Sequence, residues 1–259
     1  MPHNSLPSLP MRLYSVWFRH MLVYTRNILS NGLPPFLEPL IFLAGVGLGL
    51  GKYISSMDGI PYLQYLASGL LVTSSMYTAA FECTYGTFIR LEYDRAYDGM
   101  LAAPITANDL ILGEILWAGT KGFFFSFAVL VIVSVFDIIR IGWSLLAPFV
   151  GFLTGILFAA ISLWVTSFVK NINHFNFYMT GFLSPMFFFS GVVFPISSLP
   201  KPLQPVAEVL PLAHVVRLIR AFCLTDFHIR LWWDLAYTLV VTFVFGYFAL
   251  NRLRRRLIA

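Results

Sequence analysis

With 58% of its 259 residues apolar and only 11% charged, the chain has too few charges to clothe a water-soluble fold, which carries about 25% charged residues. A mean hydropathy of +0.78 and several apolar runs near the roughly 20 residues of a spanning helix point to a polytopic membrane protein. The net charge of +5 gathers beside those runs, which suits orientation signals and anionic headgroups and excludes a nucleic-acid face.

Met1–Pro10 is polar and proline-rich, so the first span is expected to direct insertion itself. Pro10–Ser30 predicts an amphipathic helix in the membrane interface: Arg12, Arg19 and Arg26 recur every seven residues on one face, and Leu13, Trp17, Met21, Tyr24 and Ile28 follow helical spacing on another. Asn31-Gly32 and Pro34-Pro35 are expected to end it. Six spans follow, at 36–51, 62–89, 110–136, 143–169, 175–194 and 231–250. The second would be about 40 Å long and should project beyond a hydrocarbon core of about 30 Å. In the segment 195–230, Pro195, Pro200, Pro202, Pro205 and Pro211 interrupt apolar stretches, which predicts short broken helices covered by protein. With both termini in the cytoplasm, ten Lys and Arg lie inside and six outside, and Arg254–Arg256 directly follow the last span.

Arg90–Pro104, between the second and third spans, carries five charges and an apolar ridge of Leu91, Tyr97, Met100 and Leu101. A short amphipathic helix on the cytoplasmic surface is expected there, its ridge seated in a partner's groove; a solvated loop is the bland alternative. Thr106 and Asp109 have capping-box spacing for the third span.

Three stretches resemble a known family. Phe88–Glu114, with its core Tyr97–Pro104 and then Leu112-Gly113-Glu114, is similar to the region after the second span of ABC-2-type exporter permeases. Glu38-Pro39-Leu40 running into Gly45–Gly51 resembles the first span of the branch that contains the nodulation-factor exporter permeases (NodJ-like). Phe194-Pro195 through Leu199-Pro200 to Leu210–Arg217 resembles the segment before that branch's last span. The resemblance covers nearly the whole chain in order.

It implies one all-α membrane domain over residues 1–259 with six transmembrane helices. The interfacial helix would carry Arg12, Trp17, Arg19 and Arg26. A cytoplasmic coupling helix built from Glu92, Tyr93, Asp94, Arg95, Tyr97, Asp98, Gly99, Met100 and Leu101 would touch an ATPase subunit. Re-entrant outer helices would place Pro211, His214 and Arg217 at an outer gate. The family assembles two membrane chains with two nucleotide-binding ATPase chains in the bacterial inner membrane. The implied cargo is amphipathic: a lipo-oligosaccharide, a lipid-linked glycan or a hydrophobic drug.

No cofactor is expected on this chain. Gly119-Thr120-Lys121 has the wrong order for a phosphate-cradling loop and lies in an apolar run, so ATP and Mg belong to the partner. Cys83 and Cys223 lack metal or disulfide spacing, and neither a catalytic nor a metal site is predicted. Gly45, Gly47, Gly49 and Gly51 form G-x-x-x-G pairs that favour close helix packing. Glu114 and Lys121 are about 10 Å apart along one helix face and are not expected to pair directly. Glu38, Tyr77, Phe81, Glu82, Tyr178, Phe187, Phe188 and Phe189 are the candidate lining of a substrate path. The competing class, a stand-alone secondary transporter or channel for a hydrophobic solute, would show an internal repeat, and the two halves have none.

Overall fold

The computed structural model describes residues 6–258, which form a helical bundle with one small hairpin. Helix α1 (Leu9–Arg26) ends where Asn27 takes φ −127° and ψ 43°. The chain continues at once as α2 (Ile28–Phe42), which extends through a π turn at Leu43–Leu48. This corrects the predicted break at Asn31–Pro35, because Gly32 and the proline pair lie inside α2. The Asn27 N–H turns back to the Tyr24 carbonyl and closes α1 earlier. Carbonyls freed by proline can be satisfied by surrounding groups, so the pair alone does not stop a membrane helix.

A hairpin of β1 (Ser56–Met57) and β2 (Ile60–Pro61) follows. Its turn has φ of 50° at Asp58 and 76° at Gly59, the two positive values that an Asp-Gly turn of type I′ requires. Helix α3 (Tyr62–Phe81) continues through π turns at Glu82–Gly86 and Ile89–Tyr93 to α4 (Ala96–Leu101). Then come α5 (Ala107–Val135), α6 (Ala147–Thr166), α7 (Phe175–Tyr178), α8 (Ser184–Phe189), α9 (Gln204–Val209), α10 (Pro211–Leu224) and α11 (Arg230–Ile258). The bundle therefore has an α4 end and a hairpin end. Among the described residues, three helical stretches are long and apolar enough to cross a membrane: Ala107–Val135, Trp143–Thr166 and Arg230–Leu257.

Helix α3 occupies the centre and is buried along nearly its whole length. Its polar residues are tolerated because Ser68, Thr73 and Ser74 return their hydroxyls to carbonyls one turn back. Ser75 reaches across to the Gly122 carbonyl at 2.7 Å. Helices α5 and α6 touch backbone to backbone: a Cβ on Gly122 would lie 2.6 Å from the Gly151 carbonyl oxygen, and one on Gly155 2.7 Å from that of Ala118. Small residues permit this approach, which dispersion then stabilises. Of the glycines expected to pack, Gly47 lies against Leu63, whereas Gly45 and Gly49 meet nothing within 4 Å.

Helix α1 lies along α5. Arg12 pairs with Asp109 at 2.6 Å, and Trp17 Nε1 donates to Thr120 Oγ1 at 3.0 Å. Val16 fills the notch left by the missing side chain of Gly113. The row of arginines is therefore divided: Arg12 holds the bundle, Arg19 is half-buried and Arg26 is exposed.

Candidate functional site

Charged side chains from three segments meet inside the α4 end. Arg90 Nη1 donates to Glu82 Oε1 at 2.7 Å, and Nη2 donates to Glu114 Oε2 at 2.7 Å. Lys121 Nζ donates to Glu82 Oε2 at 2.8 Å. The Tyr97 hydroxyl, carried by α4, donates to Glu114 Oε1 at 2.6 Å and accepts from Arg90 Nε at 3.3 Å. Every carboxylate oxygen thus has a donor, and two cations balance two anions. Buried ions are tolerated only under these terms. The π turns widen the helical ladder around Glu82, and Arg90 Nη2 also reaches the Glu82 carbonyl at 3.3 Å.

His20 of α1 places Nε2 3.0 Å from Glu114 Oε1 without hydrogen-bond alignment, and Lys121 lies 4.7 Å over the Tyr24 ring. His20, Glu82 and Glu114 offer ligand atoms within 4.8 Å of one another. A metal there would have to displace Arg90 and Lys121, so the cluster is an ionic network by its donor set. Burial, and then the Glu114 carboxylate, push the Tyr97 hydroxyl well above its ordinary value, which keeps it a proton donor.

A cavity of about 790 Å³ opens beside this network. Of the candidate path residues, Glu38, Tyr77, Phe81, Glu82, Phe187 and Phe188 line it, together with Phe42 and Leu70. Arg19, Lys121, Arg90 and Asp94 line it as well. Along α3 its wall mixes apolar and aromatic residues (Leu70, Tyr77, Phe81) with hydroxyls (Thr73, Ser74, Thr78) and becomes charged at Glu82. Phe187 stacks edge-on against Phe42 with centroids 5.3 Å apart. Two predicted residues lie elsewhere: Tyr178 is buried and shares a 3.0 Å hydrogen bond with Ser162, and Phe189 is exposed. Their place in the apolar run gave the right helix but not the right face.

The segment around α4 also differs from expectation. Tyr97 is buried, and Leu91, Met100 and Leu101 pack on the protein's own core. The ridge predicted to face a partner therefore seats α4 on its own bundle. Glu92, Tyr93, Asp94, Arg95, Asp98 and Gly99 are left exposed. Arg95 opens the helix at φ 47°, in the left-handed region. Thr106 and Asp109 form the full capping box of α5. Arg256 of α11 bridges to Glu92 at 2.7 Å and donates to the carbonyls of Thr166 and Val169.

At the hairpin end, Pro211 starts α10 from its first turn. His214 Nδ1 lies 2.7 Å from Asp234 Oδ1 on α11, and its ring stacks on Tyr237 at 3.9 Å. Arg217 pairs with Asp234 at 2.6 Å and with Glu208 at 3.0 Å. Burial opposes the charge on Arg217, but Asp234 and Glu208 outweigh it and raise its pKa. Pro211, His214 and Arg217 thus lie at one joint between α9, α10 and α11. The roles of Arg90, His20 and Tyr24 in this cluster are not legible in local sequence pattern. The one signal for Arg90 was a lone arginine at the end of an apolar run, eight residues after a glutamate within that run.

Comparison with known proteins converges on one family. Residues 11–224 match the family described as ABC-2 type transporter. Nodulation protein J of Sinorhizobium fredii is 37% identical over 215 residues, 83% of this chain and 82% of the relative. Nodulation protein J of Rhizobium meliloti is 35% identical over 220 residues, 85% of this chain and 84% of the relative. The inner membrane transport permease YadH of Escherichia coli is 22% identical over 204 residues, 79% of each chain.

Proposed function

The chain belongs to the ABC-2 type transporter family, as a membrane permease of the nodulation protein J type, and from that premise we propose an ATP-driven exporter of amphipathic cargo. Two copies of this chain would work with two copies of an ATPase subunit that binds ATP and Mg. The assembly would sit in the bacterial inner membrane with both termini in the cytoplasm. Six spans would be formed by α2 with its π turn, α3, α5, α6, the α7–α8 stretch and α11. The cavity carries the reading of the cargo: aromatic walls suit an acyl chain or another apolar body, and the charged wall suits a polar head. A lipo-oligosaccharide, a lipid-linked glycan or a hydrophobic drug has that character.

The observation that carries the mechanism is the chain of contacts from α4 to the cavity. The exposed face of α4, with Asp98 and Gly99, is the surface for the ATPase. Tyr97 ties that helix to Glu114 and Arg90, and Arg90 is tied to Glu82 in the cavity wall. A push on α4 as the ATPase pair closes would move this rigid set as a body and switch the cavity between two states. Exposed apolar residues at Ile41, Leu48 and Phe188 offer the second copy its contact.

The test is ATP turnover in lipid nanodiscs, with the chain alone and with the ATPase encoded beside its gene. Copurification and stimulated turnover are expected. Asp98→Lys, at an exposed position, should cut stimulation by about tenfold or more through charge reversal at an interface. If no ATPase associates with the folded chain, the exporter reading falls and a stand-alone transporter replaces it.

A further inference from the structure

Arg217 and Arg220 lie one turn apart on α10 and have opposite surroundings. Arg217 has two carboxylate partners. Arg220 has none within bridging distance among the described residues. Its Nε donates to Ser68 Oγ at 3.3 Å, and its Nη2 to the carbonyls of Gly191 at 3.1 Å and Tyr65 at 3.3 Å. Its guanidinium lies 3.8 Å over the Tyr65 ring, whose hydroxyl donates to the same Gly191 carbonyl. These contacts fix the plane of the guanidinium with neutral groups. They leave its charge without an ion-pair partner and give Nη1 no acceptor among the described residues. Burial accordingly lowers the Arg220 pKa, the opposite direction from Arg217.

A cavity of about 550 Å³ opens at this place, lined by Arg220, Ser190, Gly191 and Lys201 among others. Ser190 is 1% exposed, and its buried hydroxyl has no hydrogen-bond partner. A buried hydroxyl without a partner is costly and calls for a ligand or water. The acidic lining residues form no ion pair with Arg220 among the described residues, although the Asp58 charge acts on it from across the cavity. Glu208 is shared by Arg217 and Arg230, and Asp58, on the hairpin turn, forms no ion pair with Arg220. Arg220 with a free donor, Ser190 with its unpartnered hydroxyl and the exposed Lys201 therefore line one cavity.

We propose that this cavity is an oxyanion site, with Arg220 as the central cation, Ser190 as a hydroxyl donor and Lys201 at the rim, fitted to a phosphate group. Guanidinium donors and a hydroxyl match the tetrahedral acceptors of phosphate. The phosphate arrives either free in solution or on a lipid headgroup. The site stands apart from the cavity beside Glu82 and does not rest on the exporter reading.

The test uses the full chain in nanodiscs without ATP or an ATPase, so its failure and that of the exporter reading are separate. Inorganic phosphate is titrated calorimetrically into phosphatidylcholine discs, and native mass spectrometry counts lipid retained from discs containing phosphatidylglycerol. Saturable phosphate binding identifies a free oxyanion. Retained phosphatidylglycerol that phosphate displaces identifies a headgroup. Either result should weaken about tenfold in Lys201→Glu and several-fold in Ser190→Ala. Arg220→Ala should abolish it, but that change also removes three hydrogen bonds and the contact with the Tyr65 ring inside the bundle. The exposed Lys201 and the unpartnered Ser190 therefore keep the test independent of folding. Absence of both kinds of binding, or binding unchanged in Lys201→Glu and Ser190→Ala, overturns the proposal.

Discussion

At the α4 end, Arg90, Lys121 and Tyr97 answer Glu82 and Glu114 atom for atom; at the hairpin end, Arg220 rests among carbonyls and an aromatic ring with no carboxylate in bridging distance among the described residues. Both sets lie beside a cavity. The first is internally neutral, so it can act as a rigid strut between α4 and the helices around it. The second has a positive charge with no carboxylate within bridging distance among the described residues. Buried charge in a membrane bundle can thus serve as a fastener or as a receptor, and the inventory of partners distinguishes the two.

The largest effect expected is at the closed network. Arg90→Ala would strip a partner from both Glu82 and Glu114 and should cost about 3–5 kcal/mol, the range for orphaning a buried ion. Unfolding followed by tryptophan fluorescence in nanodiscs would read this as lost stability or lost folded yield. Tyr97→Phe keeps the ring but removes one donor to a carboxylate, at about 2 kcal/mol. In the presence of the ATPase it should also lower stimulated turnover while assembly survives; unchanged turnover would remove Tyr97 from the coupling route.

Smaller effects are expected at the open site. Arg220→Ala removes long hydrogen bonds to neutral acceptors and leaves no orphaned carboxylate, so about 1 kcal/mol is expected in the same unfolding assay. A loss as large as that of Arg90→Ala would show that Arg220 is also a fastener. Ser190→Ala removes a hydroxyl that has no partner, and stability should stay within about 0.5 kcal/mol of the parent. A marked loss there would mean that the hydroxyl is already satisfied, which would erase the contrast between the two ends.

The sequence by itself determined the membrane character, the family and the helical order, because hydropathy and local motifs act within one stretch of chain. The Thr106–Asp109 capping box was legible for that reason. Single-helix geometry also showed that Glu114 and Lys121 do not pair directly. It was silent on the link between them, since Glu82 and Arg90 come from another helix. Local pattern misplaced the end of α1, where Asn27 rather than the proline pair closes the helix. It also misread α4: an apolar ridge has the same spacing whether it faces a partner or its own core. Only the tertiary structure could decide which way Tyr97 turns, and that Arg217 has carboxylates where Arg220, one turn away, has none. Those outcomes depend on segments far apart in sequence arriving at one buried point, where the low dielectric makes the presence or absence of a partner decisive.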